Sequence, residues 1–431
     1  MNILMMSNTY KPFVGGVERS IEGFARELRA RGHKVLIVAP DFPNQPEHEN
    51  DVVRVPAIQR FNGTDFSVQL PVPGILSSRL DKFKPDLVHS HHPYLVGDTA
   101  LRVGRRRGVP VVFTFHTFFE RYTHYVPGDS PALKRFVVSL SVGYSNLCDH
   151  VLAPSHAVES TLKSRGVTVP VSVIPTGIDL DRFSAGKGSR FRAALGIPED
   201  AFTAGTVSRV APEKNPEFLA EAGVRLLRRE PETHFVVVGQ GPSLDTVQKR
   251  FDKAGLGERF HATGTLQGEE LADAYEAFDV FVFASETETQ GLVVAEAMAA
   301  GTPVVAVSAG GINDVVVDGE NGFLVSSGDM GAFMRAVRKI KRMTPEERRS
   351  VAGSARETAG GYSRGACVRR LAALYEDVLG RGRKEEPLEG SAWREALRLA
   401  KAEFDLIGTK ADAAGAAFRQ QSRREKHHAK P

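Results

Sequence analysis

Short runs rich in valine, isoleucine and phenylalanine alternate along this chain with longer stretches whose apolar residues recur every three or four positions. That alternation is what a parallel sheet with covering helices requires. Ile3 to Met6 predicts a first buried strand, followed by a glycine-bearing loop and a helix from about Val17 to Arg31. Ile21, Phe24, Ala25 and Leu28 fall on one face of that helix, and Gly32 stops it. Val35 to Ala39, Asp86 to His89, Val111 to Thr114 and Val151 to Ala153 predict later strands of the same sheet, which Val171 to Ile174 closes. A second series then begins, with strands at Phe202 to Val207, Phe235 to Val238, Val280 to Phe283 and Val304 to Val307. Helices such as Pro216 to Arg229 and Leu292 to Ala300 lie between them. Turn formers crowd Thr176-Gly177-Ile178-Asp179 to Gly188, so the domain boundary belongs there. The pattern divides the chain into domains over 1–175 and 176–362, a helix over 363–380, and a charged amphipathic tail over 381–431; periodicity alone does not decide whether the helix crosses back onto the first domain.

In the tail, Trp393, Leu397, Ala400, Phe404 and Ile407 fall on one helical face, with Arg394, Arg398 and Lys401 elsewhere on the helix. Packing against the protein or a partner is the first reading of that face, and contact with a membrane surface is the second. The end, Arg423-Arg424-Glu425-Lys426-His427-His428, is polar throughout and reads as disordered. A length of 431 residues fits two or three domains at about 150 residues each. A net charge of +4 hints at an anionic partner without choosing between nucleotide, nucleic acid and lipid. The two cysteines, Cys148 and Cys367, lack metal-like neighbours and point to a reducing compartment. The N-terminus has no basic region followed by an apolar run, and no stretch reaches the ~18 apolar residues of a spanning helix, so a soluble or peripheral protein is expected.

Three constellations can carry chemistry. Gly15-Gly16, between the first strand and its helix, lets backbone amides approach a phosphate at a positive helix end, although a plain tight turn explains the pair as well. Arg209 and Lys214 lie in the loop after the strand ending at Val207, where ligands sit in open α/β sheets. Two cations there can neutralise a pyrophosphate, both bound and departing; a solvated loop with ordinary charges is the alternative. The third is Ser285-Glu286-Thr287-Glu288-Thr289-Gln290-Gly291-Leu292, running into a helix that carries Glu296. Glu288 sits in the loop, where the amides of Gly291 and Leu292 can also face a phosphate. Glu296 has apolar neighbours, which argues against a plain solvent face, and a carboxylate there can accept two hydroxyls of a ribose diol.

Together these motifs resemble the retaining glycosyltransferases of the GT-B fold, in the large family-four group. The shared features are Gly15-Gly16, the Arg209…Lys214 pair, the Glu288…Glu296 loop and helix, the segment Ala299 to Val305, and Val173-Ile174-Pro175-Thr176-Gly177-Ile178-Asp179 between the domains. The resemblance covers most of residues 1 to about 380 and not the tail. It implies an α/β fold of two Rossmann-like domains facing each other across a cleft, acceptor-side first and nucleotide-sugar second, plus a C-terminal helical tail. It also implies that the domains close around the donor. By the same resemblance Glu296 would hold the ribose and Glu288 the donor sugar's hydroxyls. Arg209 and Lys214 would bind the diphosphate, Gly15 and Gly16 would help from the first domain, and Thr289, Gln290, Gly291 and Leu292 would line the donor site. His116, at a predicted strand end, matches a histidine that points at the donor sugar; a surface or core histidine is the alternative. The catalytic set is then His116, Glu288, Arg209 and Lys214. Front-face attack with retention is implied, the leaving diphosphate taking the acceptor proton. The metal clamp of the other main glycosyltransferase fold is not read in this sequence, so no cofactor is required, which leaves room for magnesium in a membrane or product step. His89, His91 and His92 lack a fourth ligand and are not read as a metal site. Arg102, Arg105, Arg106 and Arg107 read as a solvated helix face, with anionic lipid as the alternative.

The family does not fix the acceptor. The loop after His116, Thr117-Phe118-Phe119-Glu120-Arg121-Tyr122-Thr123-His124-Tyr125, is similar to that of bacterial diacylglycerol glucosyltransferases. This puts Phe118, Tyr122, His124 and Tyr125 forward as acceptor contacts suited to a greasy molecule with a hydroxyl; the alternative is that they pack the loop. UDP-glucose is the first donor expected and GDP-mannose the second. A lipid is the first acceptor; phosphatidylinositol, inositol phosphate or a soluble sugar is the rival. A non-catalytic nucleotide-sugar binder and a nucleotide-sugar epimerase are rivals of other classes. No nucleic acid is expected as a partner. The expected location is the cytoplasm, with peripheral contact at the inner face of the cell membrane as an extension.

Overall fold

The computed structural model describes residues 1–13, 15–46, 49–58, 68–69, 73–121, 123, 130–381 and 391–418. They form two compact units. Unit 1 comprises Met1–Pro154, Glu159–Thr176 and Val368–Pro431; unit 2 comprises Ser155–Val158 and Gly177–Cys367.

The elements of the first half are β1 (Asn2–Met6), α1 (Gly16–Ala30), β2 (Lys34–Pro40), β3 (Val52–Val55), β4 (Ala57–Ile58), β5 (Val68–Gln69), α2 (Pro73–Phe83), β6 (Leu87–Ser90), α3 (Val96–Arg107), β7 (Val111–Thr114), α4 (Pro131–Leu147), β8 (His150–Ala153), α5 (His156–Ser164) and β9 (Val171–Val173). Seven strands pair in parallel in the order β3-β2-β1-β6-β7-β8-β9, and β4 with β5 forms a small antiparallel ribbon. Central strands such as β1 and β6 are buried without alternation because helices cover both faces of a parallel sheet. The order reverses between β1 and β6. Connections leaving the two strands diverge there and open a crevice at their C-terminal ends.

Unit 2 repeats the logic. It holds α6 (Leu180–Ser184), α7 (Gly188–Ala194), β10 (Phe202–Val207), α8 (Pro216–Arg229), β11 (Thr233–Val238), α9 (Leu244–Lys253), β12 (Phe260–Gly264), α10 (Gly268–Ala277), β13 (Val280–Phe283), α11 (Leu292–Ala300), β14 (Val304–Val307), β15 (Gly322–Val325), α12 (Met330–Lys341) and α13 (Pro345–Gly361). Its six strands are parallel, in the order β12-β11-β10-β13-β14-β15, and reverse between β10 and β13.

The helix expected at the end of the second domain is α14 (Arg364–Gly380). Its Val368, Leu371, Leu374, Tyr375 and Val378 are buried in the unit 1 core with Ile3, Met5, Ile21, Phe24 and Leu28. A fully buried side chain of this kind contributes about 1.5–3 kcal/mol, so five of them fix the helix to unit 1. The tail helix, α15 (Ser391–Phe418), packs on α4 and α3 of unit 1. The face it buries is not the one with its largest apolar residues. Leu406, Ala413 and Ala417 are buried, whereas Phe404 and Ile407 are 78% and 64% exposed. At one point the approach is close: a Cβ on Gly143 of α4 would meet Thr409 Cγ2 at 2.3 Å, so a glycine is needed there. Among the described residues, no helix is long and apolar enough to cross a membrane.

Candidate active site

In unit 2 the loops leaving β10 and β13 flank the point of strand reversal. The β10 loop runs Ser208-Arg209-Val210-Ala211, turns once at Pro212–Lys214 and enters α8 at Pro216. It is clamped against the loop after β11: Val210 N–H donates to the Gln240 carbonyl (2.9 Å) and Ser243 N–H to the Val210 carbonyl (3.0 Å). Only glycine permits this, since a Cβ on Gly239 would lie 1.9 Å from the Ser208 carbonyl oxygen and one on Gly241 2.3 Å from that of Val210. Arg209 is exposed at the tip, and Lys214 is half-buried.

The β13 loop brings Glu288 to Lys214, and the two form an ion pair across the reversal. Ser285 and Thr287 tie the loops together, each hydroxyl donating to the Glu213 carbonyl at 3.3 Å. From the other side a Cβ on Gly311 would strike the Thr289 carbonyl at 2.5 Å, so a glycine backs the Thr289–Gln290 segment. Gln290 is buried and Leu292 half-buried. The loop ends at Gly291, left-handed at φ 70°, which starts α11 with no side-chain cap. Its first-turn amides therefore meet the loop without a carboxylate of their own. One and a half turns into α11, Glu296 is 7% exposed and accepts a hydrogen bond from the Tyr275 hydroxyl (2.7 Å). Tyr275 belongs to α10 and to no motif in the sequence. Lys214 has three donors to transfer to a phosphate, and Glu288 then has oxygens to offer to hydroxyls. A groove of about 970 Å³ on this unit, lined by Phe323, Arg335, Arg338, Lys339 and Arg342 among others, holds none of these residues.

Unit 1 builds its crevice from imidazoles. His89, His91 and His92 lie at the end of β6, and His116 follows β7. The rings of His91 and His116 share a hydrogen bond, Nδ1 to Nε2 at 2.9 Å. Among the described residues, His91 Nε2 is buried with no hydrogen-bond partner. An unpaired acceptor is cheaper to bury than an unpaired N–H. The proton of His91 therefore belongs on Nδ1, which donates to His116 and holds it as the Nδ1–H tautomer. His89 sits between the Tyr375 hydroxyl at Nδ1 and Thr114 Oγ1 at Nε2, both at 2.6 Å. His92 Nδ1 accepts from the Asn8 amide (3.2 Å), joining this cluster to the loop after β1. Burial pushes all four below the ordinary histidine range: His89 to about 3, His92 to about 4, and His91 and His116 well down, the last two also by their neighbouring imidazoles. The crevice is thus lined with neutral rings. The roles of His91 and Tyr375 required knowing which strands and helices are neighbours. Among the described residues, no group of three or more His, Cys, Asp or Glu side chains is arranged to hold a metal.

Other expected residues fall differently. Gly15 caps α1, and the buried Glu18, tied to Thr9, puts a carboxylate beside that helix end, 2.5 Å from where a Gly15 Cβ would sit. Gly16 faces open space, since a Cβ there would meet nothing within 4 Å. Phe118 is 6% exposed, against Phe115 and with the guanidiniums of Arg121 and Arg165 4.9 and 5.1 Å from its ring centre. It packs the loop rather than presenting an open face to an acceptor. Tyr122, His124 and Tyr125 lie outside the described residues. Of the basic residues on α3, Arg102 pairs with Glu403 and Arg107 with Asp81.

Two family models match in succession: Glycosyltransferase Family 4 over residues 14–182 and glycosyl transferases group 1 over residues 189–358. The alpha-monoglucosyldiacylglycerol synthase of Acholeplasma laidlawii is 28% identical over 89% of this chain and 99% of its own length. The GDP-mannose-dependent alpha-mannosyltransferase of Mycobacterium tuberculosis is 31% identical over 88% of this chain and 98% of its own. Among solved structures, sucrose-phosphate synthase from Thermosynechococcus elongatus superposes with a TM-score of 0.71 at 23% identity, over 88% of this chain and 99% of its own. Two parallel doubly wound units, and matches that span nearly the whole length of these relatives, lead to one conclusion: the chain belongs to glycosyltransferase family 4 and has the GT-B fold.

Proposed function

We propose that this glycosyltransferase moves glucose, with retention of anomeric configuration, from UDP-glucose to the hydroxyl of a lipid such as diacylglycerol. The observation that carries the reading is the Lys214–Glu288 pair at the β10/β13 reversal, beside the uncapped start of α11. A nucleoside diphosphate supplies what that place lacks. Its phosphates take over Lys214 and meet the α11 amides, with Arg209 joining from the same loop. Glu288, released from the lysine, accepts hydroxyls of the sugar, and Glu296, oriented by Tyr275, accepts those of the ribose.

In the reaction the bond from the anomeric carbon to the phosphate oxygen breaks. The acceptor oxygen attacks the same face, and its proton passes to the departing phosphate. Lys214 and the helix amides stabilise the charge that develops there, so catalysis is chiefly electrostatic and positional and requires no metal, with magnesium left as an aid to product release. His116 is neutral, and the family resemblance places the matching histidine near the donor sugar, where it adds no charge.

The similarity of the loop after His116 to that of diacylglycerol glucosyltransferases, and the Acholeplasma laidlawii relative, support glucose and a lipid. The mycobacterial relative supports a second reading, mannosyl transfer from GDP-mannose to phosphatidylinositol, inositol phosphate or a soluble sugar. A peripheral location on the inner face of the cell membrane follows from a lipid acceptor. The test crosses UDP-glucose and GDP-mannose with detergent-dispersed diacylglycerol, phosphatidylinositol, inositol phosphate and free sugars. Nucleoside diphosphate release with UDP-glucose and diacylglycerol is expected. Release with GDP-mannose alone establishes the second reading, and no release with any pair makes the protein a nucleotide-sugar binder.

A further inference from the structure

Leu95 stands in a backbone conformation that a leucine rarely adopts. It joins β6 to α3 with φ 56° and ψ −87°, near the centre of a γ-turn of the strained hand. Among the described residues, Asn44, Lys84 and Asn215 are the other non-glycine residues at positive φ, and asparagine tolerates that region best. Both groups that would close such a turn on itself are taken by the loop after β1. Asn8 Nδ2–H donates to the Tyr94 carbonyl (3.0 Å), and the Val96 N–H donates to Asn8 Oδ1 (3.2 Å). The Gly97 N–H adds a second bond to the Tyr94 carbonyl (3.1 Å). On one side Tyr94 packs edge-on against Phe119 and its hydroxyl donates to the Val137 carbonyl (3.2 Å); on the other Val96 is wholly buried. The neighbours of Leu95 therefore fix its backbone, and Leu95 itself is 40% exposed.

A turn alone calls for glycine here, which reaches positive φ without strain. A leucine held in strain without being packed away has a use for its side chain. Its place in the fold says which. Asn8 follows β1 and Leu95 follows β6, the two strands between which the order of the unit 1 sheet reverses. Open α/β sheets bind their ligands at such a point. His92, three positions before Leu95, accepts from the Asn8 amide and belongs to the cluster of neutral rings there. We infer that Leu95 is a specificity-determining residue of the unit 1 crevice, its side chain meeting the apolar part of the acceptor, and that Asn8 is the positioning residue that holds it out. Neutral imidazoles with an apolar side chain at their rim suit an uncharged amphiphile better than a phosphate ester or a free sugar. The inference rests on the lipid-acceptor reading and deepens it by naming a residue that selects the lipid.

The test is acceptor kinetics with UDP-glucose and detergent-dispersed diacylglycerol, beside denaturant titration of each variant. Leu95→Gly should raise the acceptor KM about five- to tenfold, the share of a leucine's transfer free energy that a part-exposed side chain can still gain, and move the donor KM much less. Its denaturant midpoint should equal or exceed that of wild type, because the strain is released. Leu95→Met, apolar and of similar volume, should keep the acceptor KM within about twofold. Asn8→Ala should raise the acceptor KM in the wild-type background and add nothing in Leu95→Gly, as expected of a residue that acts through another. Val317→Ser, which removes an exposed apolar residue of unit 2, should change none of these values. A wild-type acceptor KM in Leu95→Gly overturns the inference. So does a lowered midpoint, which makes the leucine a packing residue, and additive effects of the two substitutions overturn the part given to Asn8. If phosphatidylinositol is glycosylated in place of diacylglycerol, the acceptor assignment fails, and the same KM shift on that lipid upholds Leu95. Transfer only to inositol phosphate or a free sugar, or to nothing, overturns both.

Discussion

The two crevices share a topology and differ in charge. In unit 2 the strand reversal is spanned by a lysine–glutamate ion pair beside an uncapped helix start. In unit 1 the equivalent place is filled by the buried His89, His91 and His116 and the half-buried His92, whose pKa values are depressed, so that they are neutral at neutral pH. Sheet topology places a crevice but does not decide what it binds. The ionic crevice can exchange its internal partner for a diphosphate; the neutral one can offer directed hydrogen bonds to hydroxyls without attracting the anion. Even the helix after β1, whose start would suit a phosphate, has Glu18 against it in its first turn.

The strongest way to break this contrast is to remove the charge from unit 2. Lys214→Ala should lower turnover by about 10²–10³, the usual cost of losing one donor aimed at developing negative charge. Because the lysine's gain is largest as the diphosphate departs, KM for the donor should move much less. Steady-state nucleoside diphosphate release measures both, and wild-type turnover in the variant would sink the role given to this residue.

How far the sequence carried can be seen element by element. Every central strand was legible, since burial on both faces favours short runs rich in apolar and β-branched residues. The three large-sheet strands the pattern missed, β3, β12 and β15, are all at edges. One side of an edge strand has no neighbour, and the exposure of β3 and β12 is mixed. In the site, Lys214, Glu288 and Glu296 were legible as residue types at strand and helix ends. Tyr275 and Tyr375 were not, because they reach the site from helices distant in sequence. His91 was visible as a histidine, but its bond to His116 exists only because β6 and β7 are adjacent. The tail helix was legible, but the side of it that packs on unit 1 was not: Leu406, Ala413 and Ala417 are buried there, while Phe404 and Ile407 are exposed.

Acid should sharpen the comparison next. Burial lowers the His89 pKa from 6.5 to about 3, so the unfolded chain binds its proton first as pH falls. The stability this group contributes is whole above about pH 6.5 and is lost progressively down to about pH 3. At pH 5 the loss is about 2 kcal/mol for one such histidine, and His91, His92 and His116 act in the same direction. Denaturant titrations of the whole protein at pH 7.5, 6 and 5 should therefore lose stability steeply, and histidine ring resonances from this cluster should remain in their neutral form throughout. Flat stability over that range, or a ring titrating near 6.5, would mean the unit 1 crevice is solvated and can be charged.

The smallest effect asks how finely the ionic crevice is tuned. The Tyr275 hydroxyl donates to one oxygen of the buried Glu296 in unit 2. Removing one such bond while leaving the ring in place costs about 1–1.5 kcal/mol, or about five- to tenfold in an equilibrium constant. Tyr275→Phe should therefore weaken binding of the nucleoside diphosphate by that factor and leave turnover at saturating donor unchanged. The carboxylate would still be present but no longer oriented. Glu296→Ala should weaken binding further, since both ribose hydroxyls then lose their acceptor. Calorimetry with the nucleoside diphosphate, and with its 2′-deoxy analogue, separates the possibilities. If Glu296 grips the ribose, the deoxy analogue loses affinity with wild type and not with Glu296→Ala. If both proteins discriminate alike, the ribose is held elsewhere and Tyr275–Glu296 is a packing contact of α10 and α11.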